Sequence, residues 1–183
     1  VFTSGDPLND RDNSLAGVDV LYPNSRLPGG RTLEASAWYQ ESDTRWGLNE
    51  APNPLRPDDA DSAAGFGVSV PSNNKFRGAL STRRIEANFN PALGFTSRTG
   101  IRDYSGQLAY THRPAGGFWQ SLFFALDGQR IEGLNGRLQS QQIGLTPVQM
   151  YNRTNDMLYL RSNFEKEILD LPFAIRPNTI IPV

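Results

Sequence analysis

The chain has 183 residues, 38% of them hydrophobic, with 18 basic and 19 acidic side chains, one histidine and no cysteine. The formal charge of −1 is spread without a basic face or an acidic tail, which argues against a nucleic-acid partner, and the missing thiols exclude disulfides, thiolate metal sites and a cysteine nucleophile. No window approaches the ~20 apolar residues of a spanning helix, but that test says nothing of membrane strands, in which only alternate residues face lipid.

Apolar residues recur with period 2 rather than 3.6. This predicts an all-β antiparallel meander of about eight long strands, near 14–22, 32–42, 63–71, 75–88, 101–112, 118–130, 137–151 and 156–169. In the second strand Leu33, Ala35, Ala37 and Tyr39 alternate with Thr32, Glu34, Ser36 and Gln40, and Trp38 is the one aromatic on the polar side. Phe66, Val68 and Val70 mark the third, while Phe76, Gly78 and Leu80 oppose Arg77, Ala79, Ser81 and Arg83 in the fourth. Tyr104, Gly106, Leu108 and Tyr110 mark the fifth. The sixth is apolar on both sides from Phe118 to Leu126, and its neighbours decide for strand over helix. In the eighth, Leu158, Leu160 and Phe164 face away from Arg161, Asn163 and Glu165.

The links alternate in length. Residues 71–74, 113–117 and 152–155 are tight and rich in turn formers, whereas 43–62 and 89–100 are long; Gly133-Leu134-Asn135-Gly136 carries an Asn-Gly hairpin signal. Tight turns on one rim and long loops on the other is the asymmetry of outer-membrane barrels, so a transmembrane barrel is expected, embedded in bacterial outer-membrane lipid. Tyr22, Trp38, Tyr39, Tyr104, Tyr110, Trp119, Tyr151 and Tyr159 fall near predicted strand ends and are candidates for aromatic girdles. With eight strands and tight turns on the periplasmic side, both chain ends fall on the outer side, and Pro182 could not donate to a closing ladder. Residues 1–183 are therefore expected to form one segment of a larger barrel, its edges covered by further strands or by other envelope subunits.

The runs Asn13-Ser14-Leu15-Ala16-Gly17-Val18-Asp19, Leu27-Pro28-Gly29-Gly30-Arg31, Ala63-Ala64-Gly65-Phe66-Gly67-Val68-Ser69 and Gly100-Ile101-Arg102-Asp103-Tyr104 surround the distinctive Phe89-Asn90-Pro91-Ala92-Leu93-Gly94-Phe95. Together they resemble the barrel domain of unknown function that follows a family 9 carbohydrate-binding-like module in Gram-negative outer-membrane proteins. The resemblance implies an outer-membrane location. It implies no sugar site here, because nothing in the chain matches the upstream module, and it transfers no catalytic residue.

No catalytic constellation is identifiable, and no cofactor is implied. His112, beside Arg113-Pro114, fits a turn or interfacial residue better than a general base. Glu34, Glu41, Glu86, Glu132, Glu165 and Glu167 are carboxylates by count only, since glycoside hydrolysis needs two at a separation that sequence does not supply. Glu34, Glu86 and Glu165 are instead candidate lumen-lining groups with Arg77, Arg83 and Arg161. Asp10 and Asp12, and Asp58, Asp59 and Asp61, are weak calcium candidates that lack EF-hand spacing. A barrel segment serving transport, anchoring or surface display is the leading reading. Its rivals are a soluble all-β carbohydrate-binding module using Trp38, Trp46 or Trp119, and a glycosidase-like enzyme.

Overall fold

The structure is a computed structural model that describes residues 1–5, 12–45, 59–71, 75–168, 173–176 and 179–181. It is all-β, with no helix among the described residues. The strands are β1 (Phe2–Ser4), β2 (Asp12–Leu27), β3 (Arg31–Arg45), β4 (Asp59–Val70), β5 (Phe76–Ile85), β6 (Ile101–His112), β7 (Trp119–Gly133), β8 (Leu138–Asn152), β9 (Met157–Glu167), β10 (Phe173–Arg176) and β11 (Thr179–Ile181). The first nine form one antiparallel meander in strict sequence order, and β10 pairs with β11 in a separate two-stranded sheet. The nine-stranded sheet is open, with β1 and β9 at its edges.

All eight predicted strands are present as β2–β9. The short β1 was not expected; it pairs with Ser14–Ala16, flanking residues bond to Asn13 and Gly17, and among the described residues the outer side of β2 beyond Gly17 has no strand partner. That open side accommodates Pro23, which sits opposite Glu34 inside a strand that runs on to Leu27. The predicted fourth strand ends early, at Ile85 rather than 88, because the chain there turns away from the ladder to begin the β5–β6 link. Links 28–30, 113–118 and 153–156, with the one between Val70 and Phe76, lie at one rim. Links 86–100 and 134–137 lie at the other: 86–100 is long as expected, 134–137 is tight, and most of the expected long loop 43–62 lies outside the described residues.

Register sorts the side chains. Because opposed residues in an antiparallel ladder share a face, the pairings Ala37↔Phe66, Phe66↔Thr82, Thr82↔Tyr104 and Leu108↔Leu126 define one face, and Trp38↔Gly65, Gly65↔Arg83, Arg83↔Asp103 and Gln129↔Gln142 define the other. Large apolar side chains dominate the first face and stand exposed on it, among them Val18, Val20, Phe66, Leu80, Leu108, Leu126, Leu160 and Phe164. The small buried cluster lies on the second face near the long-link rim, where Leu15, Ala63, Ile85, Ile101 and Ile131 enclose Phe89, with Trp38 packed against it. The fold therefore keeps its buried apolar residues on the polar side and leaves most of its apolar surface outside.

Candidate functional site

The polar face carries two connected hydrogen-bonded groups. On β5–β7, Arg83 donates to Asp103 from Nη2 at 2.8 Å and from Nε at 2.9 Å, and Gln129 Nε2 lies 3.0 Å from both carboxylate oxygens. Asp103 is only 5% exposed, so three donors compensate the loss of water around a nearly buried charge. The hydroxyls of Ser81 and Ser105, 2.7 Å apart, continue the polar surface toward the other rim. Ser36, Trp38, Gly67, Arg83, Asp103 and Gln129 line a hollow of about 310 Å³. Further along, Arg161 Nη2 donates to Asp127 at 2.9 Å across the intervening β8, and its Nε donates to Asn163 at 2.9 Å.

Two glycines make these arrangements possible. A Cβ on Gly65 would lie 2.7 Å from Trp38 Cζ2, so the indole rests on β4 only because that position is bare. A Cβ on Gly144 would lie 2.9 Å from Asp127 Cγ, which is why the Arg161–Asp127 pair can bridge from β7 to β9.

Of the candidate lumen-lining residues, Glu34, Arg77, Arg83, Arg161 and Glu165 share the polar face by register. Arg77 lies with its guanidinium carbon 5.2 Å from the centroid of the Phe123 ring, a cation–π contact that explains one apolar residue on the polar side of the doubly apolar seventh strand. Glu86 stands apart: it lies just beyond β5 and pairs with Arg84, whose position belongs to the apolar face. Of the six carboxylates considered for hydrolysis, Glu132 is held by Arg130 at 2.6 Å and Glu41 lies 3.5 Å from the Tyr39 hydroxyl.

The aromatic candidates separate by face. Tyr22, Tyr39, Tyr104 and Tyr110 lie on the apolar face, whereas Trp38, Tyr151 and Tyr159 lie on the polar one, since proximity to a strand end carries no information about parity. Trp119 sits beside the β6–β7 link, its ring edge-on to Phe118 at 4.9 Å. Phe76 and Phe124, which are not among the girdle candidates, flank Tyr110 at 4.6 and 6.4 Å and complete an aromatic row at the short-link rim. Phe76 follows the period of its strand, whereas Phe124 lies in the run that is apolar on both sides.

Among the weak calcium candidates, Asp10, Asp58 and the Asp59 side chain lie outside the described residues. Asp61 is occupied, accepting from the Ser62 and Asn88 backbone N–H groups at 2.9 Å each, and Asp12 is exposed at the start of β2. No group of three or more metal-ligating side chains forms among the described residues. His112 is exposed at the end of β6. Trp46 lies outside the described residues.

Neither a protein-family model, a curated protein nor a solved structure matches the chain.

Proposed function

We propose that the chain forms part of an outer-membrane β-barrel in which the apolar face meets lipid and the polar face lines a water-filled passage for small polar solutes. One observation carries this: exposed large apolar side chains are concentrated on a single face across β2–β9, and that face ends in polar side chains. On β6 the apolar run lies between Arg102 and His112. Those ten residue steps span about 34 Å along the strand at ~3.4 Å each and about 26 Å at a ~40° tilt, against the ~25 Å apolar band of such barrels. Arg84 and Glu132 stand level with Arg102 on the neighbouring strands, and Arg130 lies one same-face position further in, opposite Tyr104, where a headgroup region would begin.

A soluble sandwich would bury this face against a second sheet; here nine strands form one sheet with the face exposed. The same reading accounts for the open edge. Every residue of β9 is exposed, and an unpaired strand bearing Leu158, Leu160 and Phe164 is stable in lipid only when further strands complete its ladder. Those strands would come from the same barrel or from another envelope subunit. The resemblance centred on Phe89–Phe95 supports the same location.

Transfer of the full-length protein from detergent to plain buffer tests the proposal. It is expected to lose its β-rich circular dichroism or to precipitate without detergent or lipid. A folded, monodisperse protein in buffer alone would overturn it.

A further inference from the structure

We infer that residues 86–100 form a fixed inner loop that narrows the passage near the long-link rim, an assignment that rests on the barrel reading above. A link between adjacent antiparallel strands needs as few as two residues. This one instead travels across the polar face. Its Phe89 is buried among Leu15, Ala63, Ile85, Ile101 and Ile131, which come from five different strands. The Asn90 backbone N–H donates to Ser42 Oγ at 3.0 Å, and its carbonyl accepts from Asn13 Nδ2 at 3.0 Å. The Asn88 N–H donates to Asp61 at 2.9 Å. These three anchors belong to β2, β3 and β4, none of which the link joins.

The strands are prepared for the loop as well. Asn13 and Ser42 are 2% and 0% exposed, and buried polar groups of this kind are costly unless satisfied. Asn13 also donates to Thr44 Oγ1 at 2.8 Å and Ser42 to the Asp61 carbonyl at 3.3 Å, so loop and strands complete one network. A turn closed by Gly94 N–H on the Pro91 carbonyl at 2.7 Å stiffens the middle, and the returning limb bonds to β8 and its link, Arg98 to Ser140 Oγ at 3.5 Å and Leu134 N–H to the Gly100 carbonyl at 3.0 Å. A segment pinned at both limbs over the face that lines the passage reduces its cross-section at that depth. Solutes would pass the loop before reaching Arg83, Asp103 and Gln129.

Conductance of the full-length protein in planar bilayers, measured with protease resistance in vesicles as the record of insertion, provides the test. Replacement of residues 91–97 by Gly-Gly should raise single-channel conductance by about twofold or more, as expected when a constriction is widened. In the cysteine-free chain, the pair Thr44→Cys and Asn90→Cys should oxidise readily and leave conductance at its native value, because it locks the loop where it already lies. Unchanged conductance in the shortened variant, or a pair that cannot be oxidised, would overturn the inner loop while an inserted protein left the barrel standing. Failure of the native protein to insert would remove the barrel itself and the loop's role with it.

Discussion

Leu108 and Gln107 are neighbours on β6 that face opposite ways, and substituting each by arginine separates a lipid-facing strand from a water-facing one. Leu108 lies about midway between Arg102 and His112 and is 56% exposed. An exposed leucine in water is replaced at a cost within about 0.5 kcal/mol. An arginine at the lipid midplane of a barrel costs about 2–4 kcal/mol, which is a factor of roughly 30 to 900 in the folding equilibrium. Gln107→Arg on the polar face should stay within about 0.5 kcal/mol of native. Urea titration of the full-length protein in phospholipid vesicles, followed by tryptophan emission, reads both values. Equal and small effects for the two variants would refute the assignment of faces.

Gly65→Val should displace the Trp38 indole from β4, shift its emission and destabilise the fold by about 1–3 kcal/mol, as overpacking does; unaltered emission would show that the ring does not rest there. Arg83→Ala leaves Asp103 with Gln129 alone. Because the arginine is half exposed, the loss should be only about 1–3 kcal/mol, and Asp103→Asn in the same background should recover part of it. At the β8–β9 turn, hydrogen bonds from Asn152 and Thr154 hold the Asp156 carboxyl below its ordinary value of 3.8. A depressed acid stabilises the fold above its ordinary value and loses that contribution as pH falls through its folded value. Asp156→Asn should therefore be less stable than native at neutral pH, and the difference should close below pH 3.8.

Most of the sheet was legible because alternation is a direct imprint of two unlike surroundings on successive residues. Leu33 to Tyr39 and Tyr104 to Tyr110 kept that imprint along whole strands. β1 escaped because three residues hold no period, and Pro23 concealed the length of β2 because nothing local shows that one side of the strand is unpaired. The ion pairs depended on register: Arg83 and Asp103 are 20 residues apart and Asp127 and Arg161 are 34 apart, and only the ladder makes them neighbours. The 86–100 link read as an outer loop, since Asn, Pro and Gly mark the absence of a ladder without saying where the chain goes. Phe89 between two asparagines was the available sign that it turns inward.

The assignment of the two faces is tested most directly by a nitroxide scan of residues 104–110 in the lipid-embedded full-length protein, reading collision with oxygen against a water-soluble nickel chelate. The account predicts that Tyr104, Gly106, Leu108 and Tyr110 favour oxygen while Ser105, Gln107 and Ala109 favour nickel or stay shielded from both. Even-numbered positions that collide freely with nickel would place water against the apolar face and contradict it.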